Sequence, residues 1–199
     1  MCGMEDQPLG LTLLDRMCRA WELARERLIR ATSALERAAV PYAVAGENAV
    51  AEWVARGDES AVRGTPHVDL QIRRSDFAAA ASILESVGFL QCTALRGAVF
   101  TDGPDGSIRS GVYITWAGEY VQPGDPYPAA DVTDAEMAKH FRVLRFEALV
   151  RMLLTANGRL EGMLARDVID VGLLDATWLH RLPADLAARL QILLDTPDG

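Results

Sequence analysis

Two side chains frame the chemistry of this chain: His67 and Asp69, separated by one apolar residue in Arg63-Gly-Thr65-Pro-His67-Val-Asp69-Leu-Gln-Ile. On a strand, side chains at i and i+2 point the same way, so this pair would present imidazole and carboxylate together and could jointly hold a metal ion. Upstream, Tyr42-Ala-Val-Ala-Gly46-Glu47 puts a glycine directly before a helical pattern. Glycine there lets a phosphate approach the backbone closely and meet the amides of the helix N-terminus. A nucleoside triphosphate with Mg²⁺ is normally held by one or two carboxylates plus its own phosphates. Asp69 and His67 are therefore the candidate catalytic and metal residues. Gly46, Glu47, Arg63 and Thr65 are the candidate nucleotide-binding residues, and Arg63 could pair with Asp69 or with a phosphate.

The elements that must position these residues follow from periodicity. Leu14, Met17, Trp21, Ala24, Leu28, Ala31, Leu35 and Ala38 recur at spacings of three and four, which predicts one helix over about 11–39. Arg19, Glu22, Arg25, Glu26, Arg30 and Arg37 fall on its other faces and read as solvated. Pro41 ends it. A short strand at 42–45 is closed by Gly46, and a helix follows from about 48 to 56 with Ala49, Val50, Trp53 and Val54 inward. Residues 67–73 alternate as a strand, with Val68, Leu70 and Ile72 on one face and His67, Asp69, Gln71 and Arg73 on the other. A helix from Ser75 to Gly88, β-like pieces at 89–95 and 98–101 and a strand at 112–116 come next. A Gly- and Pro-rich loop covers 118–130, and helices are predicted at about 146–156, 160–174 and 183–194. The fold class is α+β: a small mixed sheet with flanking helices, a long N-terminal helix and a helical C-terminal part. The implied division is 1–40 as a helix packed on the domain, 41–130 as the α/β core and 131–199 as the helical part.

Composition removes several functions. The 199 residues are 50% hydrophobic and 24% charged, enough apolar matter for a real core. Twenty basic residues against 28 acidic ones leave a net charge of -8, so an extensive grip on nucleic-acid backbone is disfavoured. Lys139 is the only lysine and lies in a charged stretch. Cys2, Cys18 and Cys92 are odd in number and far apart, which indicates neither a zinc site nor a disulfide framework and suits a cytoplasmic setting. No apolar run approaches the roughly 20 residues that cross a bilayer.

The strand, Gly46, helix, Arg63-x-Thr65 and second strand together resemble the nucleotidyltransferase superfamily, closest to its bacterial minimal nucleotidyltransferase and abortive-infection toxin branch. That group has a "(I/V)PY.(V)VGG.A" start followed by "R.T.D(I/V)D" on the next strand. The resemblance covers about Leu35 to Asp175. Val143-Leu-Arg-Phe-Glu-Ala-Leu-Val150 is similar to its "VLSLEGLV" segment, and Arg166-Asp167-Val-Ile-Asp170 to its "(R/K)D..DL" helix. The resemblance implies Mg²⁺ or Mn²⁺ with a nucleoside triphosphate in active members.

The departures from that pattern bear on activity. Glu47 stands where a second glycine or a serine is expected, and His67 replaces the first metal carboxylate. Only the second, Asp69, remains; Tyr113 falls at the third, and Leu153 near the expected lysine. Two-metal phosphoryl transfer depends on such carboxylates to fix the ions and activate the attacking oxygen. The leading reading is a nucleotidyltransferase-like protein with impaired catalysis, acting as a nucleotide- or partner-binding regulatory module, with a protein partner or second copy as further ligands. Two alternatives stay open. One is an active metal-dependent, toxin–antitoxin-related transferase using Asp69 and His67, in which imidazole would favour a transition metal such as Mn²⁺ and Glu47 would join the site. The other is a structural or dimerising domain without ligand. Plainer readings also stand: His67 as a surface histidine, Asp69 as a solvated carboxylate, Glu47 as a first-turn carboxylate favoured by the helix dipole, and Asp167 with Asp170 as a solvated or capping network.

Overall fold

A computed structural model describes residues 13–92, 97–156 and 158–196. The first helix, α1 (Leu13–Arg37), buries Ala24, Leu28, Ala31 and Leu35, four residues of the predicted stripe, and Ala38 lies exposed past its end. Trp21 on the same stripe is 46% exposed and lies against Gly64 instead of entering the core. Ala39 ends the helix in the left-handed region (φ 55°), with Val40 N–H donating to the Leu35 carbonyl at 3.0 Å. Two arginines of this helix reach across to the sheet, Arg27 from a buried position and Arg30 from an exposed one. Arg27 and Arg30 both pair with Asp102, and Arg27, 8% exposed, also donates to the Pro66 carbonyl at 2.9 Å. That last bond fixes the chain one residue before His67.

β1 (Ala43–Val44), α2 (Gly46–Gly57) and β2 (Val68–Ile72) follow, and β1 pairs antiparallel with β2. Next come α3 (Phe77–Ser86), β3 (Phe89–Cys92), β4 (Ala98–Asp102) and β5 (Val112–Trp116). The expected strand residues 93–95 and the first two residues of the expected N-terminal helix, 11 and 12, lie outside the described residues. β5 pairs parallel with β2 in a register that sets Asp69 opposite Tyr113. β4 joins β5 antiparallel, and β3 joins β4 antiparallel at the edge.

The other half of the sheet differs from the sequence expectation. The stretch before residue 146 holds β6 (Ala135–Met137) and β7 (Arg142–Leu144), and β7 lies parallel to β1. Both strands are three residues long, too short to show a period of two. The sheet therefore has seven strands in the order β3-β4-β5-β2-β1-β7-β6 and reaches into the part read as helical. α4 (Phe146–Ala156), α5 (Arg159–Asp170) and α6 (Ala184–Asp195) complete the chain. α5 stops four residues short of the predicted 174, at the turn containing Gly172 (φ 74°).

The core joins the sheet and its helices. Tyr42, Leu70, Ile72, Leu84, Phe89, Phe100, Leu144, Leu149 and Leu186 are almost fully buried. Val68, Leu70 and Ile72 take the predicted inward face of β2. The opposite face is covered too: Gln71 is fully buried, and its side-chain amide touches the Met152 sulfur of α4 at 2.8 Å. Among the described residues, no helix is long and apolar enough to cross a membrane. The α+β class is as the sequence indicates.

Candidate functional site

The site begins at the junction of β1 and α2. Gly46 is the first residue of α2 and adopts φ 54°, a conformation that costs an L-residue roughly 1–2 kcal/mol. A Cβ at this position would run into the Asp69 carboxylate, lying 2.8 Å from its Cγ. The glycine is thus required twice, by backbone conformation and by the approach of Asp69. The Ala45 N–H donates to the Asp69 carbonyl at 3.0 Å, closing the β1–β2 pair beside it.

Asn48 is the residue that sequence reasoning missed. It is 8% exposed, in the first turn of α2. Its side-chain oxygen accepts from the Asp69 N–H at 2.8 Å, and its amide nitrogen donates to the His67 carbonyl at 3.2 Å. One side chain thereby locks α2 to the backbone on both sides of Val68. The signal was present: Asn48 is a polar residue on a helix face otherwise made of Ala49, Val50 and Val54.

His67 and Asp69 share a face, as the i, i+2 spacing predicts. His67 Nε2 lies 3.2 Å from Asp69 Oδ2, and its Nδ1 lies 3.2 Å from Thr65 Oγ1. Thr65 is buried; both partners in the pair are about three-quarters buried. His67 is therefore not a free surface histidine, since both ring nitrogens have partners. The hydrogen bond to Asp69 raises its pKa above the ordinary imidazole value. Burial opposes this, and the negative charges of Asp69 and Glu47 add to it. The ring also meets Tyr113 edge-on, with centroids 5.4 Å apart. The Tyr113 hydroxyl donates to the Ile108 carbonyl at 2.8 Å.

Arg63 goes elsewhere. It pairs with Asp167 at 3.0 Å, and neither Asp69 nor any other β2 carboxylate is its partner. Asp167 is 8% exposed, and burial raises its pKa against the opposing charge of Arg63, with Asp170 adding to the rise. So Asp167 is a buried ion-pair partner and not part of a solvated network. Glu47 lines the same small pocket as this pair, beside Leu160 and Leu164 of α5.

A cleft of about 230 Å³ opens over these residues. Gly46, Glu47, His67 and Asp69 form its polar side, and Leu149, Met152 and Leu153 of α4 its apolar side. Tyr127, Pro128 and Ala129 wall the third side. They come from the Gly- and Pro-rich loop, which is held down by the Tyr127 hydroxyl donating to Asp185 at 2.9 Å. Leu153, at the place where the resemblance expects a lysine, contributes apolar surface here.

The donor set does not suit a Mg²⁺ pair. Among the described residues, no three His, Cys, Asp or Glu side chains gather as metal ligands. Asp69 already shares one oxygen with His67, and its register partner is a phenol bonded to backbone. Mg²⁺ prefers oxygen ligands, and of this pair only the Asp69 carboxylate, with one oxygen engaged by His67, offers them.

No protein-family model matches the sequence, and no curated protein matches it. Solved structures do. The solution structure of the antibiotic-resistance factor ANT(2'')-Ia aligns over 88% of this chain and 91% of its own, with 13% identity and a TM-score of 0.51. A crystal structure of ANT(2'')-Ia in complex with adenylyl-2''-tobramycin covers 88% of this chain and 95% of its own, at 14% identity and a TM-score of 0.45. JHP933 from Helicobacter pylori covers 92% of this chain and 76% of its own, at 15% identity and a TM-score of 0.46. At these identities the likeness to the ANT(2'')-Ia solution structure speaks for architecture: the chain has a nucleotidyltransferase-like fold.

Proposed function

We propose that this chain is a nucleotide-binding module on a nucleotidyltransferase-like scaffold, with its transfer chemistry impaired. One observation carries the reading: the cleft-facing carboxylate of β2, Asp69, is engaged by His67, and Tyr113 stands opposite it on β5. A transferase centre has to fix divalent ions with several carboxylate oxygens and activate an attacking hydroxyl. On the sequence resemblance, imidazole and phenol stand where that chemistry needs carboxylates. Glu47 adds negative charge beside Gly46, against a triphosphate lying on the α2 N-terminus. The apolar wall of Leu149, Met152 and Leu153 and the Tyr127 ring remain suited to a base.

The experiment is a titration with ATP, GTP, CTP and UTP, each with Mg²⁺ or Mn²⁺, scored for binding and for label transfer to the protein or to RNA. Binding without transfer is expected. Robust transfer that disappears in Asp69→Ala would sink the impaired-catalysis reading. The 3.2 Å approach of His67 to Asp69 on one sheet face favours a second reading, a transferase built on a transition metal. A stoichiometric transition metal that is lost in His67→Ala would establish that reading in its place.

A further inference from the structure

A second cavity, about 430 Å³, adjoins the cleft and shares Tyr127, Ala129, Met152 and Thr155 with it. Five charged residues line it: Asp131, Asp134, Arg145, Glu147 and Arg151. Their partners divide sharply by sign. Asp131 is held by Arg73 through two hydrogen bonds of 2.9 and 2.5 Å, which keep its carboxyl far below the usual carboxylate range. Glu147 has Arg181 at 3.4 Å. Asp134 accepts from the Asp131 N–H at 3.2 Å as part of a capping box.

The two cations differ from the acids. Arg145 makes no side-chain hydrogen bond or ion pair with a described residue, and Arg151 only reaches over the Tyr127 ring at 5.9 Å. Two of the three acids are already compensated by arginines outside the cavity, so its unspent charge is positive. The polar side of the adjoining cleft has the opposite character, with Glu47 and Asp69 facing it. A guanidinium with free N–H donors on a cavity wall is a natural receiver of phosphate oxygens.

We propose that Arg145 and Arg151 form an anion subsite that takes the phosphate tail of the nucleotide. This inference rests on the nucleotide-binding reading above and gives it an orientation. The base occupies the cleft by Leu149, Leu153 and Tyr127, and the phosphates run past Tyr127 to Arg151 of α4 and Arg145 just before it, away from Gly46 and Glu47. Such a tail is held by arginines and needs no divalent ion.

Calorimetry on the full chain without divalent ions tests it, using tripolyphosphate, ATP and adenosine as separate probes. In the wild type, tripolyphosphate should bind, and ATP should bind more tightly than adenosine. In the Arg145→Gln/Arg151→Gln double variant, tripolyphosphate and ATP should weaken about tenfold or more, the scale of losing charge-assisted contacts, while adenosine is unchanged. Arg145→Lys/Arg151→Lys should restore part of the loss, and Glu47→Gln should not weaken ATP. Equal thermal unfolding of the wild type and the double variant establishes that the variant folds. ATP and tripolyphosphate affinities equal in both proteins, or no tripolyphosphate binding to the wild type, would overturn the subsite. Tripolyphosphate binding lost in the double variant, with neither ATP nor adenosine bound to the wild type, would support the anion subsite and overturn the nucleotide reading.

Discussion

The polar walls of the two adjoining cavities solve opposite problems. On the strand side, the polar groups around Gly46, Asn48, His67 and Asp69 bond to one another and to backbone. Beside α4, Arg145 and Arg151 face a cavity with no described residue taking their N–H donors. A wall that satisfies itself contributes to stability and keeps its geometry without ligand. A wall with free cations contributes little to folding and keeps its interaction energy for something that binds. The strand wall should therefore break when mutated, and the α4 wall should merely stop binding.

The largest effect is expected at Gly46. Gly46→Val forces a β-branched residue into φ 54° and against Asp69. A loss of about 3 kcal/mol in urea unfolding is expected from the backbone strain plus the clash. Asn48→Ala comes second, since it strands the buried Asp69 N–H and the His67 carbonyl. About 2 kcal/mol of destabilisation, read from the same unfolding curves, would match two lost buried hydrogen bonds.

Asp69→Asn gives a smaller and pH-dependent effect. The folded-state pKa of His67 is raised by Asp69, so the pair stabilises the fold fully below the unfolded imidazole value of about 6.5. That contribution is lost as pH rises through the folded pKa. The stability gap between wild type and Asp69→Asn should therefore be widest in mild acid and shrink toward alkaline pH. Histidine NMR titration should show the His67 pKa falling in the variant. A gap that instead widens with rising pH would contradict the assigned pair. The smallest effect belongs to the α4 wall: Arg145→Gln/Arg151→Gln should change unfolding stability by no more than about 0.5 kcal/mol, as exposed substitutions do. A loss of several kcal/mol there would erase the contrast between the two walls.

How far the sequence reaches is clear from individual residues. The β1–Gly46–α2–β2 unit was legible because its contacts are local and its periods are strong. Gly46 before a helix, and Val68, Leu70 and Ile72 alternating with His67 and Asp69, each follow from geometry within a few residues. The His67–Asp69 contact itself follows from the two-residue period. Asn48 needed one more step, namely asking why an amide interrupts an apolar helix face.

Other features are set by partners distant in the chain. Arg63 could face Asp69 or a phosphate on sequence grounds, and it meets Asp167 because α5 packs against α2. β6 and β7 carry too few residues to show alternation, and exist because β1 has an open edge for β7. The Gly- and Pro-rich segment reads as a loop, and its place as a cleft wall comes from tertiary contacts such as the Tyr127–Asp185 bond to the C-terminal helix. By itself, then, the sequence determined the α+β class, the strand–glycine–helix start and the pair of side chains on β2, since each depends on local period and conformation. Tertiary structure alone decided which charges were paired among the described residues, because an ion pair depends on where distant elements pack and not on spacing along the chain.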